Sequence, residues 1–280
     1  MTATDSLPVA SARLRALHRA GQPIILLNAW DCASARILER AGVSAIATTS
    51  AGIAFSHGFP DGEMIPRERM LEAVTRICRS VSVPVTADME AGYGASAVEA
   101  GRTAAGVIEA GAVGMNLEDG TGDPARPLAD TALQVEKIYA VREAGERAGV
   151  PLVLNARTDV YLDAVGSESG RFEEAARRGE AYRDAGADCV FVPGVTDSAT
   201  IGALVQRLAC PVNVLAVAAG PSIAELARLG VARVSLGSGP MRASMSLLER
   251  LAEEVLTRGT YSTLEGIVSH ASMNELMRHG

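Results

Sequence analysis

The sequence predicts an α/β protein, a (β/α)8 barrel of the TIM type with extra helices at its C-terminal end. Eight short apolar runs alternate with helix-like segments through most of the 280 residues. These runs do not alternate polar and apolar residues, as a strand with one solvated face would. Parallel strands covered by helices explain this pattern, and eight units favour a closed barrel over an open sheet.

Short apolar runs mark the predicted strands, and glycine ends several of the helices between them. The strands are predicted at residues 24–28, 45–49, 83–88, 114–118, 152–156, 189–193, 212–216 and 233–237. Amphipathic helices are predicted at residues 33–41, 67–80, 97–110, 133–148, 172–185, 200–208 and 222–229. Gly42, Gly111, Gly186 and Gly230 stand at helix-to-strand junctions, where a left-handed C-cap suits glycine. No predicted strand leads into a GxGxxG turn with a correctly spaced acid, so a dinucleotide-binding Rossmann sheet is the weaker alternative.

The repeat continues without a linker or a low-complexity segment, so we expect residues 1–280 to form a single barrel domain. Residues 241–280 follow the eighth predicted strand and have a helical pattern. They are expected to form a C-terminal extension that packs outside the barrel or against a neighbouring subunit.

Composition and charge argue against several classes of partner. A formal net charge of −7 disfavours nucleic acid or an anionic membrane as the main partner. No apolar stretch approaches the length of a membrane span, and the N-terminus lacks the apolar core of a signal peptide. The four cysteines and four histidines show no metal-ligand spacing, which favours buried free thiols. A cytoplasmic protein is therefore expected.

Lys137 is the only lysine of the chain. It falls within a predicted helix and is expected to point away from the strand ends. Because a Schiff-base mechanism needs a lysine in the active site, a lysine-dependent aldolase is not expected.

Two carboxylates end the third predicted strand. Asp88 and Glu90 are two residues apart, so on a strand they point to the same face. They lie at the carboxyl end of the strand, where barrel enzymes build their active sites. Like charges this close repel one another, and a divalent cation with oxygen ligands is the simplest compensation.

Polar residues also follow the other predicted strands. Among them are the acidic residues Asp61 and Glu118, and with Asp88 and Glu90 they predict a Mg²⁺ or Mn²⁺ site completed by water and an oxygen-rich substrate. An arginine after the fifth strand could clamp a substrate carboxylate or phosphonate with two hydrogen bonds, and hydroxyls and amides after the second strand could bind another carboxylate. The candidate residues are Asp61, Asp88, Glu90 and Glu118 for the metal, with Trp30, Thr49, Ser50, Ala51, Gly52, Arg157 and Asn213 around the substrate.

Several of these residues also have structural interpretations. Asp31 and Asp159 could cap the helices that follow them. Glu118 and Arg157 could form an ion pair inside the barrel mouth. Trp30 could pack in the core instead of contacting a substrate.

Residues 88–94 read Asp-Met-Glu-Ala-Gly-Tyr-Gly. This segment resembles the metal-binding D-x-[DE]-x-G-[FY]-G motif of the isocitrate lyase/phosphoenolpyruvate mutase superfamily. Further blocks match in the same order, and the resemblance covers about residues 20 to 240. The matching blocks are residues 28–31 with 34–36, 49–52, 59–61, 117–119 and 156–159.

The resemblance implies a Mg²⁺-dependent barrel that acts on 2-oxo or 2-hydroxy carboxylic acids through a pyruvate enolate. It also implies a homo-oligomer, a dimer or a tetramer that exchanges its C-terminal helix. In this comparison Asp88 and Glu90 lie nearest the metal and Asp61 and Glu118 support it, while Trp30, Glu118 and Arg157 act on a substrate whose carboxylate rests on Thr49, Ser50, Ala51 and Gly52.

One departure from the superfamily affects the choice of reaction. Lyases of this group carry a Lys-Arg-Cys-Gly-His segment after the fourth strand, and its cysteine is the catalytic acid/base. Residues 118–128 of this chain contain neither cysteine nor histidine. A carbon–carbon lyase or a decarboxylase of an oxaloacetate-like acid is the first hypothesis. A phosphonomutase-type reaction and a non-catalytic barrel that binds metal and dicarboxylate are the alternatives.

Overall fold

The computed structural model describes residues 6–278 and contains one sheet of nine parallel strands, which confirms the predicted barrel. Residues 1–5 of the expected domain and residues 279–280 of the expected extension lie outside the described part. The strands are Ile24–Leu26 (β1), Asn28–Ala29 (β2), Ile46–Thr48 (β3), Val85–Asp88 (β4), Gly114–Glu118 (β5), Val153–Arg157 (β6), Cys189–Phe191 (β7), Val212–Leu215 (β8) and Arg233–Ser235 (β9).

The first predicted strand is divided in two, and the barrel closes at this division. β1 pairs with β9, and β2 pairs with β3. The Asn28 side chain joins the two sides, because its Nδ2 donates to the Thr48 carbonyl (2.8 Å) while its Oδ1 accepts from the amides of Leu236 and Gly237 (both 2.9 Å). A side chain thus supplies hydrogen bonds where the backbone ladder changes partner.

Helices follow the strands as expected, and two more were not predicted. The α-helices of the described residues are Leu7–Ala16 (α1), Cys32–Arg40 (α2), Ser50–Ser56 (α3), Arg67–Ser80 (α4), Ala97–Glu109 (α5), Thr131–Ala148 (α6), Arg171–Asp184 (α7), Ser198–Leu208 (α8), Ile223–Arg228 (α9), Gly239–Arg258 (α10) and His270–Arg278 (α11). The two unpredicted helices are α1 and α3. Helix α1 lacks a continuous apolar stripe, since Leu14 is its only buried apolar residue.

Helix α1 packs against the ends of strands away from the candidate site. Leu14 is fully buried, and its side chain fills the space beside Gly114, the first residue of β5. Arg15 pairs with Asp188 (Nε–Oδ1 2.8 Å), just before β7. Both contacts involve strand starts, so the opposite, carboxyl ends remain free to carry functional side chains.

The C-terminal segment is helical, as its sequence pattern indicates. Helix α11 docks on α2, where Nη1 of Arg36 donates to the Leu276 carbonyl (2.9 Å). Helix α10 exposes several apolar side chains, including Leu248, Val255 and Leu256, the last 84% exposed. Within residues 6–278 no helix combines the length and the hydropathy that crossing a membrane would require.

Candidate active site

Asp88 lies at the carboxyl end of β4, where its carboxylate is buried and oriented by three hydrogen bonds. Its Oδ2 accepts from the amide (3.1 Å) and the hydroxyl (2.9 Å) of Ser50. Its Oδ1 accepts from Nδ2 of Asn116 (3.1 Å), on the neighbouring strand β5. Asn116 in turn accepts from Nδ2 of Asn155 (2.8 Å) and Nη2 of the buried Arg233 (3.1 Å). These donors hold Asp88 as an oriented carboxylate.

Glu90 lies in the turn after β4, and its environment disfavours the charged form. The residue is 3% exposed. Burial, then the nearby carboxylates of Asp61 and Asp88, raise its pKa from 4.5 to about 7. Its carboxylate accepts from the Glu63 amide and from the Tyr93 hydroxyl (3.4 Å).

Asp61 and Glu118 lie near the same two carboxylates. Burial, and then the charge of Asp88, raise the pKa of Asp61, which is also hydrogen-bonded to the Ser50 side chain. Burial raises the pKa of Glu118 well above 4.5, and its interactions with Asp88 and Glu90 act in the same direction. The structure therefore brings together all four acidic residues that the sequence singled out.

Arg157, at the end of β6, is fixed between two carboxylates. Its Nη1 pairs with Glu118 (2.6 Å), and its Nε and Nη2 bind the two oxygens of Asp159 (2.5 and 2.9 Å). The ion pair considered for Glu118 is therefore present. Asp159 binds Arg157, whereas Asp31 caps α2 through the Ser34 amide (2.7 Å). A guanidinium has five N–H donors, so the three bonds leave two for a substrate oxygen.

A buried network behind Arg157 was not predicted from the sequence. Asp119 accepts from the Asp159 amide (2.9 Å), the Tyr182 hydroxyl (2.6 Å) and Nη1 of Arg178 (3.0 Å). Tyr182 and Arg178 come from α7. Nothing in a single sequence indicates that this helix reaches back to the loop after β5.

The predicted substrate-binding residues lie at different depths. Thr49 caps α3 by accepting the Gly52 amide (3.3 Å), and a Cβ at Gly52 would stand 3.1 Å from Cβ of Trp30. The Ala51 side chain is buried beside them, and Trp30 is half-buried against the core. Asn213 is fully buried, and its amide exchanges hydrogen bonds with the Ser235 hydroxyl (3.3 Å). Their roles toward a substrate remain predictions.

The expected direction of the Lys137 side chain is wrong. Its Nζ donates to the Ala91 carbonyl (2.8 Å), in the turn after β4. Lys137 lines a cavity of about 370 Å³ together with Glu63, Glu90 and Glu118. The helical position was correct, but the long side chain extends from α6 over the strand ends. Burial lowers its pKa, and the charges of Glu63 and Glu118 oppose this effect.

Comparison with known proteins identifies the family of this barrel. Residues 14–256 match the sequence profile of the phosphoenolpyruvate phosphomutase family. The chain belongs to this family. Phosphoenolpyruvate phosphomutases lie within the isocitrate lyase/phosphoenolpyruvate mutase superfamily, so the membership expected from the sequence motifs is confirmed.

Relatives of this phosphomutase family member include proteins of different activity. A Mycobacterium tuberculosis protein is 37% identical over 240 residues, which are 85% of this chain and 87% of its own. The 2-methylisocitrate lyase of Escherichia coli is 28% identical over 259 residues, 89% of this chain and 84% of the lyase. Oxaloacetate decarboxylase 2 of Pseudomonas putida is 29% identical over 231 residues, 79% and 72% of the two chains.

Solved structures of the superfamily share the barrel of this family member. A Burkholderia cenocepacia crystal structure is 42% identical with a TM-score of 0.84, covering 89% of this chain and 99% of its own. A phosphonopyruvate hydrolase in complex with oxalate and Mg²⁺ is 26% identical with a TM-score of 0.83, covering 95% of this chain and 94% of its own.

The donor set at the strand ends of this family member fits a hard divalent cation. No three His, Cys, Asp or Glu side chains among residues 6–278 are grouped so as to hold a metal ion by themselves. Mg²⁺ commonly takes one or two carboxylates and completes its shell with water and substrate oxygens, which this mouth can supply. Six carboxylates meet here, while Arg157, Lys137 and the buried Arg233 supply positive charge beside them. The carboxylates are those of Asp61, Glu63, Asp88, Glu90, Glu118 and Asp159.

Proposed function

We propose that this protein is a Mg²⁺- or Mn²⁺-dependent carbon–carbon lyase, which cleaves or decarboxylates a 2-oxo or 2-hydroxy carboxylic acid through a pyruvate enolate. The observation that carries the proposal is the cluster of carboxylates around Asp88, one of which, Glu118, pairs with the fixed Arg157 (2.6 Å). The carboxylates suit a cation, and Arg157 suits the carboxylate of the substrate.

The protein groups divide the work between binding the metal and orienting the substrate. Asp88 and Glu90 would hold the cation, with Asp61 and Glu118 in support. When bound, the metal stabilises negative charge that develops on the enolate oxygen. Arg157 would bind a substrate carboxylate through its two remaining N–H groups, and Trp30 would close one side of the site.

The segment from Thr49 to Gly52 would receive the other substrate oxygens. Ser50 already donates twice to Asp88, so one residue links the proposed metal ligand to the substrate side. Asn213 would lie at the deeper end of the substrate site, where its side chain is hydrogen-bonded to Ser235.

The loop after β5 favours decarboxylation within this class. Residues 118–128 supply no thiol and no imidazole, so the catalytic cysteine that lyases of this superfamily carry after the fourth strand has no counterpart here. Loss of CO₂ from an oxaloacetate-like acid needs no base to remove a hydroxyl proton, and the pyruvate enolate that remains can take its proton at C3 from water. Similarity to an oxaloacetate decarboxylase supports this choice. The family match supports a phosphonomutase-type reaction as the second candidate.

A pyruvate-release assay tests the proposal. The panel contains oxaloacetate, 2-methylisocitrate, substituted malates and phosphonopyruvate, each with Mg²⁺ and with EDTA. Asp88→Ala is compared with Asp184→Ala, whose carboxylate is 67% exposed at the end of α7. We expect metal-dependent turnover of an oxaloacetate-like acid by the wild type and the Asp184 variant, and none by the Asp88 variant.

Other outcomes choose between the alternatives. Isomerisation of phosphonopyruvate to phosphoenolpyruvate, followed by ³¹P NMR because it releases no pyruvate, would favour the phosphonomutase branch. Absence of turnover across the panel, with Mn²⁺ and oxalate still binding in calorimetry, would favour a binding barrel without catalysis.

We also propose the ligand class, the assembly and the cellular location of this protein. A small carboxylate is the expected ligand, and neither nucleic acid nor a membrane is a proposed partner. The exposed apolar side chains of α10 support a homo-oligomer in which the C-terminal segment meets another copy. A cytoplasmic location is part of the same proposal.

A further inference from the structure

Glu63 links the loop that carries Asp61 to the turn that carries Glu90. Its backbone amide donates to Oε2 of Glu90. In the opposite direction, its carboxylate accepts from the Tyr93 amide (Tyr93 N–Glu63 Oε1 2.5 Å) and from the Ala91 amide. Each segment therefore supplies both a donor and a carboxylate to the other.

The residues in this contact have an unusual backbone conformation. Glu63, Glu90 and Tyr93 have φ values of 59°, 49° and 57°, in the left-handed region that favours glycine. Non-glycine residues remain in this region only when their surroundings hold them there, and such positions concentrate at functional sites. The reciprocal hydrogen bonds are the local interactions that can hold them.

Lys137 also holds this turn. Its Nζ donates to the Ala91 carbonyl (2.8 Å), and its charge interacts with those of Glu63 and Glu118. The side chain comes from α6, so it connects the turn to a helix that does not otherwise carry a predicted site residue. Below we call Glu63 and Lys137, with their hydrogen bonds to residues 90–93, the clasp.

We infer that Glu63 and Lys137 are positioning residues, and that the clasp holds Glu90 and Asp61 in the arrangement that binds the divalent cation. The inference rests on the proposed function. Neither residue needs to touch the reacting atoms. Without the clasp, Glu90 is free to leave its left-handed conformation and its carboxylate moves relative to Asp88, so that metal affinity falls while the barrel stays folded.

Mn²⁺ binding to the full-length protein, measured by calorimetry, tests this role without using activity. The variants are Lys137→Met, Lys137→Arg and Glu63→Gln. Arg147→Met is the matched control, because Arg147 is an exposed cation on the same helix α6, where it pairs with Glu143. Thermal unfolding in EDTA reports the fold of each variant separately.

We expect Lys137→Met to weaken Mn²⁺ binding by roughly 10–100-fold, the range for loss of a partner that orients a metal ligand. Glu63→Gln should weaken it less, because the remaining amide oxygen can still accept one of the two backbone amides. Lys137→Arg retains a donor for the Ala91 carbonyl and should recover most of the affinity. A double variant that combines Lys137→Met with Glu63→Gln should lose less Mn²⁺ affinity than the product of the two single losses, since both residues act on one turn. Arg147→Met should bind as the wild type does.

Two results would overturn the inference while leaving the proposed function intact. One is unchanged Mn²⁺ affinity in both Lys137→Met and Glu63→Gln. The other is a loss of affinity in Lys137→Met that Arg147→Met reproduces, which would indicate a general effect of charge on α6. If the wild type binds no Mn²⁺, the proposed metal-dependent function fails and the inference fails with it. Should Lys137→Met not fold, Glu63→Gln decides, and Mn²⁺ affinity equal to that of the wild type in this variant would overturn the inference. Lys137→Arg should then still bind Mn²⁺ nearly as the wild type does.

Discussion

Removing the metal should make the stability of this protein depend on pH through Glu90. In the folded chain the pKa of Glu90 is about 7, against an ordinary value of 4.5. Between these two values the folded state keeps a proton that the unfolded state has already released. The contribution of this carboxyl is therefore fully present below about pH 4.5 and is lost as the pH rises through about 7.

The size of the effect follows from the shift. Each pKa unit corresponds to about 1.4 kcal/mol, so the metal-free protein should lose about 3 kcal/mol of stability over this range. Glu90 is 3% exposed, so solvent screening reduces this figure little. For a chain of 280 residues this corresponds to a fall of about 5 °C in Tm. Mg²⁺ binds the ionised carboxylate, so it should restore Tm at about pH 8 and have little effect at about pH 5.

Thermal unfolding followed by circular dichroism, in EDTA and in Mg²⁺, checks this prediction. Glu90→Gln is the control, because its amide oxygen can still accept the Glu63 amide but its side chain does not titrate. We expect the variant to have a flatter dependence of Tm on pH and a smaller response to Mg²⁺. Equal pH dependence of wild type and variant in EDTA would refute the assignment of the effect to Glu90.

Three further results are expected. Arg157→Leu leaves Glu118 and Asp159 buried without their partner, so the free energy of unfolding from chemical denaturation should fall by about 3–5 kcal/mol. A variant as stable as the wild type would show that these ion pairs are not needed for folding. EDTA should abolish turnover and Mn²⁺ should restore it, whereas activity in EDTA would exclude the proposed metal dependence. Light scattering should give a mass above the 29.0 kDa of one chain, and Leu256→Asp should reduce it; a monomeric wild type would remove the proposed oligomer.

The fold could be predicted from the sequence because its strands and helices follow the simple periodicities. Strand Gly114–Glu118 and helix Arg67–Ser80 have the bounds that the pattern predicts. Helix Ser50–Ser56 was missed because it is short, contains glycine and follows its strand without a turn. The break in the first strand depends on hydrogen bonds that Asn28 accepts from residues more than 200 positions away, which no local pattern contains.

The candidate site was predictable where residues follow strands, and not where tertiary contacts decide. Asp88, Glu118 and Arg157 end strands, so the barrel brings them to one mouth. Glu63 and Lys137 come from a loop and a helix, and the periodicity of a helix does not show how far a lysine side chain reaches. Asn116 is an ordinary strand residue in sequence, and its contact with Asp88 depends on the register between β4 and β5.

The distribution of sulfur in the described residues has a practical consequence. No cysteine lines the cavity beside Glu90 and Glu118. Burial raises the pKa of the Cys78 thiol to about 12 and that of Cys210 to about 11, so both are almost entirely protonated at neutral pH. Oxidants and alkylating reagents attack the thiolate form. The proposed chemistry should therefore continue under peroxide concentrations that would inactivate an enzyme with a catalytic thiol.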